Sequence, residues 1–150
     1  MIHPLSDCKS INVPKSSNIW QYVVVFPNAI IGENCNICAH CLIENDVMLG
    51  NNVTIKCGVY LWDGITIEDN VQIGPNVTFT NDKYPRAKKE FCLQRTLIKN
   101  NASIGAGSII IGGITVGENA MIGAGSVVTK DIPANELWLG NPAKFIRSID

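Results

Sequence analysis

The sequence predicts an all-β chain folded as a parallel β-helix, in which short strands recur at every sixth position. Every sixth residue from Val13 to Phe79 is apolar, and a second such series runs from Ile98 to Val128. A period of six fits neither an α-helix nor the alternation of a long strand, but it fits short strands joined by tight corners. Three successive repeats make one triangular coil, and stacked coils bury the apolar positions. We therefore expect a single domain over residues 1–150.

A break in register separates the two series. The spacing from Phe79 to Ile98 exceeds a full coil by one position, which predicts a modified coil or an extruded loop at about 80–97. This segment is polar and charged, and its Pro85 prevents regular strand pairing. A polar loop on a rigid solenoid is the part of the chain that we expect to carry function.

The C-terminal residues, about 134–150, are expected to cap the last coil. Pro133 and Asn141-Pro142 predict turns, and we predict a short C-terminal helix from Ala143 to Ile149. Such a cap protects the open edge of the final coil from pairing with other strands.

Composition excludes several classes of protein. The net charge is −1 and the basic residues are scattered, so we expect no nucleic-acid partner. No uninterrupted apolar stretch of about 18 residues occurs, which predicts no membrane-spanning segment. The N-terminus also lacks the basic and then apolar layout of a signal peptide. We therefore expect a cytoplasmic protein without a membrane partner.

The spacing Cys35-x-x-Cys38-x-x-Cys41 would suggest a metal site in another context. In this repeat, Cys35 and Cys41 occupy inward positions on different faces and Cys38 occupies a corner, so we expect packed thiols and no metal. His3 and His40 are the only histidines, whereas β-helical carbonic anhydrases need three on a metal. That class is excluded. His40, outward at a corner, remains a candidate substrate-binding residue.

Side chains one coil apart, which means three repeats along the sequence, are expected to form columns along the β-helix. These columns predict that Asp63 aligns with Asn81 and that Trp62 aligns with Thr80, which gives a polar and aromatic strip leading to the loop. An outward Trp62 beside Asp63 and Tyr84 is costly unless a ligand or a neighbouring subunit covers it. A solvated ladder of corner residues is the alternative.

Two glycine-rich tracts, Ser103–Gly107 and Met121–Gly125, lie one coil apart. Together they would leave a smooth groove in which a long flexible ligand could approach the backbone, but plain tight corners explain them equally well. Lys130 and Lys144, near the end of the chain, could meet phosphate groups by charge.

The tract Gly58–Gly64, followed by Ile73–Arg86, resembles the nucleotide-linked 3-amino-sugar N-acetyltransferases. The resemblance is to enzymes that act on dTDP-3-amino-3,6-dideoxyhexoses (Fuc3N or Qui3N) for bacterial surface glycans such as O-antigen or S-layer glycans. The tracts Gly123–Pro133 and Gly140–Lys144 are common to many hexapeptide-repeat acetyltransferases. The resemblance covers essentially the whole chain and implies that the β-helix is left-handed.

The resemblance also implies acetyl-CoA as cosubstrate and a homotrimer with active sites between subunits. Asn81 would hold the reacting amino sugar or acetyl group. Trp62, Asp63, Asp82, Tyr84 and Arg86 would line the nucleotide sugar. The residues implied to contact coenzyme A are Ser103, Ala106, Ala124, Lys130, Pro142 and Lys144.

The loop contains no histidine, whereas hexapeptide enzymes that acetylate sugar hydroxyls usually carry one there as general base. This absence favours an amine acceptor, because a neutral amine is already a competent nucleophile. Two enzyme classes stay open, a sugar O-acetyltransferase and an N-acetyltransferase for a UDP-2,3-diamino-uronate. The loop of the latter usually lacks the run Asp82–Tyr84. A non-catalytic β-helix scaffold also stays open, although the regular Thr arrays of ice-binding proteins are not present.

Overall fold

The computed structural model describes residues 1–150 as twenty short strands with no helix. The strands pair in parallel into three sheets that the chain visits in turn, which makes the three faces of a prism. Within a face, paired residues lie one coil apart, as Val24 and Leu42 do. The predicted parallel β-helix is therefore confirmed. The fold contains no helix long and apolar enough to span a lipid bilayer.

Each face is a sheet of short strands from successive coils. The A face contains β2 (Asn18–Ile19), β5 (Asn36–Ile37), β8 (Thr54–Ile55), β11 (Gln72–Ile73), β14 (Ser103–Ile104), β17 (Met121–Ile122), β19 (Glu136–Gly140) and β20 (Ala143–Ser148). The B face contains β1 (Asp7–Cys8), β3 (Val24–Val25), β6 (Leu42–Ile43), β9 (Tyr60–Leu61), β12 (Thr78–Phe79), β15 (Ile109–Ile110) and β18 (Val127–Val128). The C face contains β4 (Ile30–Ile31), β7 (Val47–Leu49), β10 (Ile65–Ile67), β13 (Thr96–Ile98) and β16 (Thr115–Val116).

The core consists of the inward residues of these repeats. The predicted apolar position is buried in every repeat from Ile19 to Val128, and only Val13, in the first coil, stays half-buried. Cys35 and Cys41 are buried in this core as free thiols, while Cys38 is half-buried at a corner. The predicted packing of these thiols is confirmed. Burial raises the pKa of the Cys41 thiol to about 11, since a thiolate there would lose its hydration.

Tight corners connect the faces, and they require backbone conformations that few residues adopt. Ten residues other than glycine have positive φ, and seven of them are asparagines, whose short side chain tolerates this region. Outside the loop, the two exceptions are Tyr22 and His40, with φ of 60° and 62°. The other corners follow the rule that Asn or Gly takes the strained position.

The break in register is an extruded loop, which confirms one of the two predicted forms. Ile65 pairs with Val47, one coil earlier in the chain, but its partner in the following coil is Thr96, well over one coil later. The extra length is inserted between β12 and β13, and the β-helix continues above it in the same register. A modified coil would have displaced all later strands, and this does not occur.

The predicted C-terminal helix is wrong. Ala143–Ser148 forms strand β20, which pairs antiparallel with β19 after a turn at Asn141-Pro142. Trp138 in β19 stacks above Ile122 and closes the core, so β19 has an open edge that needs hydrogen-bond partners. Phe145 and Ile146 favour a strand, and β20 supplies those partners. The β-hairpin of β19 and β20 thus lies over the last coil in place of the predicted helix.

Candidate functional site

The B face lies between the two corners that carry the candidate residues. The BC corner follows the B-face strands, and its middle part is formed by residues 44–46, 62–64 and the loop 80–95. The AB corner precedes them. It is formed by residues 20–22, 38–40, 56–58, 74–76, 105–107 and 123–125.

Asn81 and Asp63 are in contact at the BC corner, as the predicted column requires. Asn81 Nδ2 donates a hydrogen bond to the Asp63 carbonyl oxygen at 3.2 Å. The carbonyl of Asn81 accepts a hydrogen bond from Gln94 N at 2.9 Å, which closes the neck of the loop. The Asp63 carboxylate is hydrogen-bonded to the preceding coil, because its Oδ1 accepts a hydrogen bond from Asp46 N at 2.7 Å. Asn81 is thus held where the loop leaves the β-helix.

Trp62 is half-buried against its own chain. Its Nε1 donates to the Phe79 carbonyl oxygen at 2.8 Å, and its ring meets the Tyr60 ring edge-on at 5.9 Å between centroids. The two rings line a cavity of about 250 Å³ that reaches across the B face to Gly58 and Asn76. This cavity joins the BC corner to the AB corner, and Tyr60 is a lining residue that the sequence reading missed. Its outward position two residues before Trp62 was the available signal.

The loop itself forms a second cavity, of about 320 Å³. Asp82 and Tyr84 both line it, and Asp82 Oδ1 accepts a hydrogen bond from Tyr84 N at 3.0 Å. Tyr84 is 78% exposed. Arg86 is also exposed, and its guanidinium donates to the Pro85 carbonyl oxygen. The structure thus brings Asp82 and Tyr84 together, while Arg86 points to solvent.

The AB corner has a smooth, small-residue surface in its upper two coils. A Cβ added to Gly105 would lie 2.5 Å from Ala124 N, so the two coils are closely packed. A Cβ added to Gly107 or Gly125 would meet no atom within 4 Å, so both glycines face open space. The amide N–H groups of Ala106 and Ala124 have no hydrogen-bond acceptor within the chain. They are therefore free to bind a ligand that lies along this corner.

The C-terminal hairpin reaches the same corner. Gly140 N donates to Ser126 Oγ at 3.2 Å, which places the turn that contains Pro142 beside Gly125. Lys144 follows this turn in β20 and is exposed, and Ser103 lies in the A-face strand that leads into the corner.

Lys130 and His40 lie near the two ends of the β-helix, away from the loop and from the upper AB corner. Lys130 Nζ is 5.2 Å from the centroid of the Trp138 ring, over the closed end of the core, where a cation–π contact holds it. His40 lies on the AB corner, far along the β-helix from the C-terminal hairpin, and stacks on Tyr22 with ring centroids 5.1 Å apart. Within one chain, His40 is not brought to the loop.

Comparisons of the sequence with protein-family models identify hexapeptide repeats in the coils of the β-helix. The family model described as bacterial transferase hexapeptide (six repeats) matches residues 46–81 and 95–130, on either side of the loop. A model for the hexapeptide repeat of succinyl-transferase matches residues 28–63.

The dTDP-3-amino-3,6-dideoxy-α-D-galactopyranose 3-N-acetyltransferase of Aneurinibacillus thermoaerophilus is 54% identical over 144 residues, which are 95% of this chain and 75% of that protein. A structure of a mutant perosamine N-acetyltransferase from Caulobacter crescentus, in complex with CoA and GDP-perosamine, is 25% identical with a TM-score of 0.76, over 88% of this chain and 57% of its own. AntD of Bacillus cereus, an N-acyltransferase in complex with dTDP and 3-hydroxybutyryl-CoA, shares the fold with a TM-score of 0.82 at 22% identity, over 92% of this chain and 82% of its own.

Proposed function

Because the chain belongs to the hexapeptide-repeat acetyltransferases, we propose that it transfers the acetyl group of acetyl-CoA to the 3-amino group of a dTDP-3-amino-3,6-dideoxyhexose. The observation that carries this proposal is the 54% identity, over 95% of the chain, with the Aneurinibacillus enzyme of that activity. The product would be an acetamido sugar nucleotide for a bacterial surface glycan. Acetyl-CoA is a cytoplasmic metabolite and all six cysteines are free thiols, which supports a cytoplasmic site of action.

Coenzyme A would lie along the upper AB corner. Gly107 and Gly125 leave room for a pantetheine arm, and the free N–H groups of Ala106 and Ala124 would donate hydrogen bonds to its amide carbonyls. Ser103 and the turn at Pro142 border the same groove. Lys144, which is exposed beyond this turn, would approach the phosphates of coenzyme A. Lys130 lies over the Trp138 ring, so it would reach these phosphates only from the far side of the end cap.

The catalytic site would form between subunits. The loop and the pantetheine groove lie at opposite edges of the B face, so one chain alone does not bring Asn81 to Ala106. The outward residues of the B face from β3 onward are mostly apolar, whereas the outward row of the A face is polar from Asn18 to Ser103. The B-face row is Val24, Leu42, Tyr60, Thr78, Ile109 and Val127.

A homotrimer that turns its B faces toward the symmetry axis would bury this row. It would also set the loop of one subunit beside the AB corner of the next. Trp62, Asp63, Asp82, Tyr84 and Arg86 would then line the acceptor on the loop side.

In the proposed mechanism, the neutral 3-amino group attacks the thioester carbon and forms a tetrahedral intermediate. Backbone N–H groups stabilise the oxyanion. The intermediate collapses with cleavage of the carbon–sulfur bond, and the amine proton passes to the departing sulfur, which leaves as the thiol of coenzyme A. No side chain acts as a strong base. Asn81 acts by positioning, since orientation alone supplies a large part of the rate.

The experiment that tests this proposal measures thiol release from acetyl-CoA with a panel of acceptors. The panel contains a dTDP-3-amino-3,6-dideoxyhexose, a UDP-2,3-diamino-uronate and a simple galactoside. We expect the highest kcat/KM for the dTDP-linked amine. A higher value for the UDP sugar would move the assignment to the diamino-uronates, and turnover of the galactoside alone would make the chain an O-acetyltransferase.

A further inference from the structure

A cavity of about 360 Å³ lies at the N-terminal end of the AB corner, outside the acetyl-transfer site. One wall is Trp20, which is 39% exposed and is held by a 2.7 Å hydrogen bond from its Nε1 to Asn36 Oδ1. Gln21 and Asn36 bring carboxamide groups to the same cavity. The Asn36 carboxamide is engaged within the chain, because its Oδ1 accepts from Trp20 and its Nδ2 donates to Cys38 Sγ at 3.7 Å, which leaves the Gln21 carboxamide as the one available to a ligand. The remaining lining residues are Cys38, Ala39 and Cys57.

The backbone beside this cavity adopts a costly conformation. Tyr22 and His40 occupy corner positions with positive φ, where the other corners of the β-helix use Asn or Gly. For side chains of this size, such a conformation costs on the order of 1–3 kcal/mol each. The two rings stack at 5.1 Å, yet Tyr22 remains 54% exposed. An exposed aromatic group kept at this cost calls for a cover, which at this corner is a ligand or the neighbouring subunit of the proposed trimer.

The chemistry of the cavity matches a nucleobase, which is a pyrimidine in the proposed dTDP sugar. An indole face stacks on any nucleobase. A carboxamide both donates and accepts hydrogen bonds, which is what the N–H and carbonyl edge of thymine requires. A carboxylate or phosphate ligand would instead need a cation, and no lysine or arginine lines the cavity.

The position of the cavity also fits the acceptor. Asn81 belongs to the same coil as Gly74–Asn76, so the acceptor amine reacts at that height. Ala39 lies two coils below Pro75, and with a strand spacing of about 4.8 Å the gap is roughly 10 Å. Coenzyme A would occupy the corner above Gly105, so the nucleotide must extend in the opposite direction, toward the cavity. A nucleoside diphosphate bridges a gap of this size between its base and its hexose.

We propose that the cavity at Trp20, Gln21 and Asn36 binds the pyrimidine base of the nucleotide sugar, with Tyr22 and His40 beside it. This inference rests on the proposed function and adds the part of the chain that binds the base of the nucleotide. The sequence reading named His40 but missed Trp20 and Tyr22, for which an aromatic residue at a corner that usually holds Asn or Gly was the available signal.

The test measures the affinity of dTDP by isothermal titration calorimetry, together with the KM of the dTDP amino sugar. Trp20→Ala is expected to weaken dTDP binding by about fivefold to 150-fold, because base stacking contributes about 1–3 kcal/mol. Trp20→Phe should restore most of the affinity. Gln21→Ala should raise the Kd by several-fold, and the KM of acetyl-CoA should not change in any of these variants. Ile11→Ala, at a residue 92% exposed outside the corner, is the control.

Two results would overturn the base site alone. One is an unchanged dTDP affinity in both Trp20→Ala and Gln21→Ala while the parent protein binds dTDP and acetylates the sugar. The other is a rise in the KM of acetyl-CoA as large as the rise in the KM of the dTDP amino sugar. Such a result would show that the substitutions cause a general structural defect. If the parent protein neither binds dTDP nor acetylates any dTDP amino sugar, the proposed function fails together with the site.

Discussion

Asn81 donates a hydrogen bond from Nδ2 to the carbonyl oxygen of Asp63, one coil below, at 3.2 Å. This bond and the one from Gln94 N to the Asn81 carbonyl fasten the neck of the loop to the β-helix. The Asn81 amide nitrogen is therefore engaged by the fold, and its Oδ1 is the atom left for a substrate.

Replacement of Asn81 is expected to lower turnover more than stability. Asn81→Ala should reduce kcat by about tenfold to a hundredfold, because a small displacement of the reacting groups has effects of that size. The loss of one partly buried hydrogen bond should cost about 1 kcal/mol of unfolding free energy. Steady-state kinetics and urea denaturation measure the two effects. Gln72→Ala, which removes an exposed carboxamide on the A face, is the control, and full activity of Asn81→Ala would contradict the positioning role.

The open space at Gly125 predicts a variant that blocks coenzyme A without disturbing the fold. Gly125 and Gly107 stack above Asn76, which already holds φ of 56° in this column. Gly125→Asn should therefore fold normally and place its side chain in the groove. We expect the KM of acetyl-CoA to rise by about tenfold or more, a loss of about 1.4 kcal/mol or greater.

The KM of the amino sugar should change little in Gly125→Asn. Asn119→Gly, at a corner between the C and A faces, makes the reverse exchange away from the groove and should leave both constants unchanged. If the KM of acetyl-CoA is unaltered in Gly125→Asn, the pantetheine arm does not bind along this corner.

Burial of Cys41 predicts a loss of stability at alkaline pH. Its pKa is raised from 9.0 to about 11, so the unfolded chain ionises first as the pH rises. The thiol therefore destabilises the folded state only above about pH 9, by an amount that grows until the pH passes 11 and reaches roughly 2–3 kcal/mol. Cys41→Val should remove this part of the pH dependence, and valine fits because Val23 and Val59 hold the same inward position in the adjacent coils.

Urea denaturation at a series of pH values from 8 to about 11.5 measures the Cys41 effect. Cys92→Ser, at an exposed thiol, is the control and should follow the parent protein. Identical pH dependence in Cys41→Val and the parent protein would show that the thiol ionises equally in both states.

The sequence was sufficient for the fold because its signal is periodic. An inward side chain at every sixth residue leaves one consistent arrangement, and each repeat from Ile19 to Val128 follows it. The C-terminal segment was mispredicted because a helix and a strand both suit Ala143–Ile149 in isolation. Only the open edge of β19, which depends on tertiary structure, decides between them.

The candidate site was less predictable, for a geometric reason. The prediction that side chains one coil apart align in columns correctly placed Asp63 next to Asn81. Periodicity does not tell which corner faces another subunit, so it could not separate Lys130 from the groove or connect His40 with Tyr22. The partly covered ring of Trp62 also depends on the Phe79 carbonyl, a backbone contact without a sequence signal.

An active site shared between subunits predicts complementation between two defective variants. In a mixed trimer of Asn81→Ala and Gly125→Asn chains, some interfaces join an intact loop to an intact groove. Co-expression with two different tags and purification on both should therefore yield more activity than either variant alone. Activity equal to the average of the two variants would place the whole site within one chain.

The central claim is that the chain acetylates an amine and needs no side chain as base. Its most direct test compares dTDP-3-amino-3,6-dideoxygalactose with the matched sugar that carries a 3-hydroxyl group, by mass spectrometry and NMR of the products. We predict a 3-acetamido product from the amine, at a rate that rises with pH as the amine loses its proton, and no product from the hydroxyl. Acetylation of the hydroxyl sugar, or of any position other than the 3-amino group, would contradict the account.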